Sequence, residues 1–156
     1  MRNDLLIISG GQTGCDRATL DSAIKYGVPY AGYIPKGRKA EDGRVAVKYT
    51  SLKEADSENY SERTYRNILM AEAVVILHQG TIDKGTQLTK TLARIAGKRL
   101  LTVNIAKPHS KERVMHFMSI FCRINIAGPR ESESPGIYQK TFAFLERIFE
   151  EAIEKQ

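Results

Sequence analysis

Leu5-Leu6-Ile7-Ile8-Ser9 leads directly into Gly10-Gly11-Gln12-Thr13-Gly14-Cys15-Asp16-Arg17, so an apolar, β-rich run is followed by a glycine-rich turn. The pattern predicts a buried strand, a turn and the start of a helix. Free amides in such a turn and the positive end of a helix both favour an anion, most often a phosphate. Glycine is required where a ligand approaches the place of a Cβ atom. We therefore expect Gly11 to Gly14 to form a phosphate cradle.

Two common phosphate-binding motifs do not describe this turn. A P-loop needs a Lys-Ser/Thr pair after its second glycine, and glycines 10, 11 and 14 do not match Gly-x-Gly-x-x-Gly. Cys15 lies where a helix N-terminus would stabilise a thiolate. No general base is placed beside it, so we favour a packing role over a nucleophile. Asp16 and Arg17 either contact the ligand or pair with each other or with neighbouring turns.

The composition indicates a soluble globular protein with an anionic small-molecule ligand. The 156 residues carry a net charge of +6, but the basic residues are spread over every segment. A nucleic-acid-binding protein would show a basic stripe interleaved with aromatic residues. The chain has no apolar run long enough for a membrane span and no signal-peptide pattern, so we expect a cytoplasmic protein with neither nucleic acid nor membrane as a partner. Two cysteines and three scattered histidines predict no structural metal.

Apolar β-rich segments alternate with helical patterns along the whole chain. Strands are predicted over 5–9, 30–34, 73–77, 100–105 and 122–126, and helices over 14–26, 58–71, 83–97, 111–120 and 136–154. The alternation predicts an α/β fold: one Rossmann-like domain over 1–156, with a doubly wound, mostly parallel sheet of about five strands in three α/β/α layers. The charged segment from Pro35 past Tyr49 interrupts this order. It is either a surface loop or a lid, and we favour a binding lid with Lys36 and Arg38 as its cations.

Three glycine-bearing turns follow predicted strands. They are Gly10 to Arg17, Gly80 to Thr86 and Ala127 to Ser132. Ligands of such sheets bind outside the carboxyl ends of the strands, so we expect the turns to converge on one anionic ligand. Arg63 and Asn67 share a helix face that either flanks this site or is solvated. His78 receives no role, and the apolar positions from Tyr138 to Ala152 are core or a subunit contact.

Five separated blocks resemble the putative molybdenum carrier proteins. They are Ser9-Gly10-Gly11-Gln12-Thr13-Gly14 with Asp16-Arg17-Ala18 and Leu20-Asp21; Pro35-Lys36-Gly37-Arg38 with Ala40-Glu41-Asp42-Gly43; Tyr60, Arg63-Thr64 and Asn67; Gly85-Thr86 with Leu88-Thr89; and Asn125 with Ala127-Gly128-Pro129-Arg130-Glu131-Ser132 and Pro135-Gly136. The resemblance covers nearly the whole chain in order, which is far more specific than one glycine-rich turn.

The resemblance implies a Rossmann-like fold of the lysine-decarboxylase-like superfamily, a homo-oligomer (dimer or tetramer) and binding of the molybdenum cofactor, a pterin with a terminal phosphate. Molybdenum enzymes would then be partners. Together with the turns, it indicates a set of cofactor-binding residues and no catalytic or metal-ligating ones. The set is Gly10, Gly11, Gln12, Thr13, Gly14, Asp16, Arg17, Lys36, Arg38, Arg63, Asn67, Lys84, Gly85, Thr86, Gly128, Arg130, Glu131 and Ser132.

Three positions depart from the related patterns. Cys15 replaces a small apolar residue, and Lys84-Gly85 replaces two adjacent glycines, which adds a charge beside the site. The related phosphoribohydrolases carry a catalytic glutamate three residues after the threonine that matches Thr86, and this chain has Thr89 there. We therefore favour a carrier, with a nucleotide or phosphoribosyl-compound hydrolase and a nucleotide-sensing module as the alternatives.

Overall fold

The computed structural model describes all 156 residues and contains a central sheet of six parallel strands. In chain order the strands are β1 (Leu6–Ile8), β2 (Tyr30–Ile34), β3 (Lys39–Ala40), β4 (Gly43–Arg44), β5 (Leu52–Glu54), β6 (Ala73–His78), β7 (Arg99–Asn104) and β8 (Arg123–Ala127). The helices are α1 (Cys15–Lys25), α2 (Tyr60–Met70), α3 (Lys84–Ile95), α4 (Ser110–Ile120) and α5 (Ile137–Glu154).

The central sheet has the order β5-β2-β1-β8-β6-β7, and β3 and β4 form a separate antiparallel hairpin. Because side chains alternate across a strand, each strand supplies both faces of the sheet. Val75 and Ile124 pack in the larger core with α1, α4 and α5, whereas Val74 and Ile76 pack against α2 and α3. This confirms the predicted Rossmann-like α/β/α arrangement.

The structure has one more central strand than the sequence predicted. The additional strand, β5, lies inside the segment expected to be a lid, and it pairs with β2 at the sheet edge. Only Leu52 of its three residues is apolar and buried, so no alternation marks it in the sequence. Val45 and Tyr49 are also buried, in a small core with Leu20 and Ile34. The segment is therefore packed onto the body of the protein.

Helix boundaries agree with the predictions to within one or two residues, with one difference at α4. Asn59 and Asp83 accept hydrogen bonds from the first-turn amides of α2 and α3, as N-cap residues do. Ser110, expected to cap α4, is instead its first helical residue. Its hydroxyl donates to the Asn104 carbonyl at 2.6 Å. None of the five helices combines the length and the apolar character needed to cross a bilayer.

Candidate functional site

A cleft of about 450 Å³ lies at the carboxyl ends of the central strands, and residues from all three glycine-bearing turns line it. Asn125, in the middle of β8, and one face of α2 complete the wall. Of the predicted site residues, the cleft contains Gly10, Gln12, Asp16, Arg63, Asn67, Lys84, Gly85, Thr86, Gly128 and Arg130.

Eight predicted site residues lie outside this cleft. A separate depression is lined by Thr13, Gly14, Arg17 and Glu131. Neither the cleft nor this depression is lined by Gly11, Lys36, Arg38 or Ser132. The Arg38 guanidinium is held by the carbonyls of Val45 and Ala46, at 2.9 and 2.7 Å. The lid cations therefore do not reach the cleft in this structure.

Three of the four amides expected to form the phosphate cradle already donate to side chains in this structure. The Gly11, Gln12 and Thr13 amides donate to side-chain oxygens of Ser9, Asp16 and Gln12, at 3.4, 3.2 and 3.1 Å. A phosphate would have to displace these acceptors. The sequence did not reveal this because the acceptors are side chains of the same short turn.

Close approach of neighbouring chain segments explains Gly10, Gly14 and Gly128. A Cβ atom on Gly14 would lie 2.6 Å from the Pro129 carbonyl oxygen, and one on Gly128 would lie 2.3 Å from the Leu77 carbonyl oxygen. A Cβ atom on Gly10 would lie 2.1 Å from Nη1 of Arg63. These positions need glycine because neighbouring chain segments approach them closely.

Asp16 pairs with Arg63 across the base of the cleft. Nη1 of Arg63 lies 3.4 Å from Oδ2 of Asp16 and donates to the Gly10 carbonyl at 2.6 Å. Burial raises the pKa of Asp16 to about 6, although Arg63 opposes this shift. Burial likewise lowers the pKa of Arg63. Arg17 binds both carboxylate oxygens of Asp42, so Asp16 and Arg17 do not pair with each other.

Several predicted site residues hold the surrounding segments in place. The Asn67 side chain accepts from the Tyr33 amide and donates to the Tyr33 carbonyl, which joins α2 to β2. Glu41 accepts hydrogen bonds from the hydroxyls of Thr13 and Ser132. Glu131 accepts from the Gly136 amide at 2.6 Å, at the start of α5. These contacts position the cleft walls.

Cys15 and His78 have structural surroundings. Cys15 is completely buried, and burial raises the pKa of its thiol, which opposes thiolate formation. Nδ1 of His78 accepts the Gly80 amide at 3.0 Å. No group of three or more His, Cys, Asp or Glu side chains is close enough together to hold a metal ion.

Besides Thr86, whose Oγ1 has no partner, four lining side chains that are more than nine-tenths buried keep polar atoms without a partner in the chain. Gln12 and Asp16 are each 8% exposed, Arg63 is 7% exposed and Asn125 is 3% exposed. Gln12 retains Nε2, Asp16 retains Oδ1, Arg63 retains Nη2, and the Asn125 amide makes no side-chain hydrogen bond. We call these four side chains the cleft floor. Asn125 could have been predicted as a site residue, because it is a polar residue inside an apolar strand.

The lining charges are balanced, with Asp16, Asp83 and Glu133 against Arg63, Lys84 and Arg130. Arg63 and Arg130 form ion pairs, and Lys84 forms none. Lys84 begins α3, and Asp83 caps the Thr86 amide there at 2.8 Å. The amides of Lys84 and Gly85 precede the first intrahelical bond and remain free. We call Lys84, Gly85 and Arg130 the cleft rim.

The sequence analysis missed other lining residues: Tyr60, Ser61, Thr64, Asp83, Leu88, Thr89, Asn125, Ala127 and Glu133. Tyr60 and Thr64 lie one turn apart and share a helix face with Arg63 and Asn67. Helical spacing from the two predicted residues could therefore have identified them.

Comparison with known proteins places the chain in a family. The model of the circularly permutated YpsA SLOG family matches residues 7–149. The structure of a putative molybdenum carrier protein from Syntrophus aciditrophicus SB is similar, with a TM-score of 0.83 and 40% sequence identity over 92% of this chain and 93% of that chain. No curated protein matches the chain. The similarity confirms the resemblance seen in the sequence, and the chain belongs to the circularly permutated YpsA SLOG family.

Proposed function

We propose that this protein binds the molybdenum cofactor, an anionic pterin phosphate, in the cleft and carries it without chemical change. The observation that carries the proposal is the cleft itself, because three turns and α2 bring free polar groups to one place. The similar structure is named a putative molybdenum carrier protein, which supports the same class of ligand.

The residues present fit such a ligand. The four floor side chains have unpaired polar atoms that can meet the heteroatoms of a pterin. Lys84 and the free amides at the start of α3 offer a positive site for the phosphate. The phosphate is thus proposed at the rim, where Lys84 has no ion pair, and not at the opening turn, where the Gly11, Gln12 and Thr13 amides already donate to side chains. When bound, the cofactor would supply the molybdenum.

The position of Thr89 supports a carrier over a hydrolase. Its hydroxyl donates to the Gly85 carbonyl at 3.1 Å within α3. The related hydrolases place their catalytic glutamate at this point of the sequence. Asp16 is the buried acidic side chain of the cleft that most resembles such a glutamate, but its carboxylate is paired with Arg63.

Calorimetric titration of the purified protein with the molybdenum cofactor under anaerobic conditions tests the proposal. We expect saturable binding with a dissociation constant in the micromolar range or below. Lys84→Ala removes a charged hydrogen-bond donor and should weaken binding by about tenfold or more. Lys98→Ala makes the same charge change outside the cleft and should leave the affinity unchanged.

A second assay separates the carrier from an enzyme. The protein is incubated with nucleoside monophosphates, and the mixture is analysed by chromatography for free base. The proposal predicts no release. Release of base that Asp16→Ala or Arg130→Ala abolishes would replace the carrier with a hydrolase.

A further inference from the structure

The cleft floor offers free hydrogen-bonding atoms to an occupant. Its four side chains come from the opening turn, α1, α2 and β8 and line one cleft. Their unpaired atoms are open to the cleft, because Oγ1 of Thr86 is the only cleft-lining side-chain atom that is fully buried without a partner. A ligand bound in the cleft can therefore pair with all four side chains.

Asp16 is held so that it can accept further hydrogen bonds. Its Oδ2 atom accepts from the Gln12 amide at 3.2 Å and from Arg63 at 3.4 Å, while Oδ1 accepts none. An ionised carboxylate has about four acceptor sites. Asp16 can therefore accept two neighbouring N–H groups of a ligand.

The other floor groups supply the complementary donors. Nε2 of Gln12 and Nη2 of Arg63 are donors, and Asn125 offers both a donor and an acceptor. Asn125 lies opposite Val74 in the sheet, and Val74 packs against α2 and α3. The Asn125 amide therefore lies on the same face of the sheet as Arg63, beside the cleft.

We propose that the cleft floor recognises the 2-amino-4-oxopyrimidine edge, which pterins and guanine share. This edge presents a ring N–H beside an amino group, and the Asp16 carboxylate can accept hydrogen bonds from both. It also presents a carbonyl oxygen, which can accept a hydrogen bond from the donors of the cleft floor. Adenine would place a ring nitrogen lone pair against that carboxylate. The inference rests on the proposed function in taking the same cleft as the binding site.

Charge favours a ligand that is bound with its ring at the floor and its phosphate at the rim over the reverse orientation. A phosphate at the floor would lie beside the Asp16 carboxylate, and like charges at short distance repel each other. At the rim, Lys84 has no acidic partner and the two free amides of α3 face solvent. The ring therefore binds at the floor, and the phosphate binds at the rim.

Four ligands test the inference on the unmodified protein by calorimetry. Neopterin monophosphate and guanosine monophosphate carry the complete edge. Inosine monophosphate lacks the 2-amino group. Adenosine monophosphate lacks the 2-amino group and has an amino group where guanine has its oxo group. The best complete-edge ligand should bind at least about tenfold tighter than inosine monophosphate. Equal affinities for the three nucleotides, with no tighter binding of the pterin, would overturn the inference.

The results for neopterin monophosphate and guanosine monophosphate distinguish this inference from the proposed function. Preference for the pterin supports both. Preference for guanosine monophosphate without pterin binding supports recognition of the edge and contradicts a molybdenum-cofactor carrier. Cofactor binding together with equal affinities for all four ligands supports the carrier and overturns recognition of the edge.

Variants assign the selectivity to the floor. Asp16→Asn should reduce the ratio of guanosine to inosine monophosphate affinity to about one, because an asparagine that keeps its oxygen on the Gln12 amide and Arg63 turns an N–H donor toward the donors of the ligand. Since this variant leaves Arg63 buried without its carboxylate, Asn125→Leu provides a second test, and it should weaken every complete-edge ligand more than inorganic phosphate. Lys84→Ala should weaken the three nucleotides by one common factor and leave their ratio unchanged. A ratio that persists in Asp16→Asn would overturn the assignment.

Discussion

Single residues decide how closely the three turns approach one another. Gly128 illustrates this best, because its missing Cβ atom leaves room for the Leu77 carbonyl and for Sγ of Cys15. Gly85 contrasts with it, since a Cβ atom there would meet only Asp83, at 3.9 Å. Both glycines belong to the predicted site, and only one of them is required by packing.

Gly128→Ala should therefore lower the free energy of unfolding by about 1–3 kcal/mol, as overpacking of a dense interior does. Gly85→Ala should leave it unchanged or raise it by up to about 1 kcal/mol, because alanine is the better helix residue. Urea denaturation of the ligand-free variants measures both. Similar losses in the two variants would contradict a packing role specific to Gly128.

The raised pKa of Asp16 predicts how ligand binding depends on pH. Burial raises its pKa from 3.8 to about 6, with Asp83 acting in the same direction and Arg63, the Gln12 amide and Arg17 opposing. The free protein therefore holds a proton on Asp16 below about pH 6, and the carboxylate that accepts ligand N–H groups forms only above it. Binding of a pterin should be about tenfold weaker at about pH 5 than at about pH 7.5.

Calorimetry of neopterin across this pH range measures the effect. Asp16→Asn is the control, because its amide does not titrate and its affinity should vary only with the ligand's own ionisation. The same pH dependence in both proteins would show that Asp16 is not the titrating group.

At the scale of elements, the segment from Pro35 to Ser57 differs most from its prediction. Its composition is that of a mobile lid, yet β5 joins the sheet and Tyr49 is buried, with its hydroxyl donating to Asp21 at 2.6 Å. The fold therefore packs the segment onto the body of the protein. Glu41, at the turn of the β3–β4 hairpin, joins this segment to the first and third turns.

Hydrogen exchange followed by NMR should detect this packing without any ligand. The Val45 and Ala55 amides donate to the carbonyls of Arg38 and Ile34, both at 2.7 Å, and should exchange slowly. Val47, 80% exposed and without an amide partner, should exchange quickly. Slow exchange reports stable local structure. Rapid exchange at all three positions would instead describe an open lid.

For the whole molecule, the layer formed by α2 and α3 carries apolar side chains that the single chain leaves exposed. Leu69 is 51% exposed and Ile95 is 73% exposed, and Tyr65 and Leu88 lie on the same two helices. Clustered exposed apolar residues mark association surfaces. The resemblance to the carrier proteins implies an oligomer, and this layer is where we expect subunits to meet.

Sedimentation equilibrium should accordingly show an oligomer for the unmodified protein. The double variant Leu69→Lys/Ile95→Lys should shift it toward monomer, because burying lysine at an interface is costly. Val47→Lys adds a charge at an exposed apolar residue outside this layer and should leave the mass unchanged. An oligomer that survives the double variant would place the interface elsewhere.

The fold was predictable from the sequence because its signals are local. Apolar runs such as Val74 to Leu77, capping residues such as Asp83, and terminal glycines such as Gly97 act within a few residues. The strand β5 was missed because its pairing with β2 depends on a distant partner and on the burial of Leu52. A three-residue edge strand leaves too little alternation to be recognised.

By itself, the sequence determined the class of the fold, the alternation of strands and helices, the three turns and the family. Only the tertiary structure decided which atoms of those turns are free. It showed three opening amides donating to Ser9, Gln12 and Asp16, Gly14 and Gly128 required by close contact with other chain segments, and unpaired polar groups collected at the cleft floor. Spacing along the chain specifies backbone conformation, whereas hydrogen-bond partners and desolvation depend on residues brought together from far apart, as Asp16 and Arg63 are.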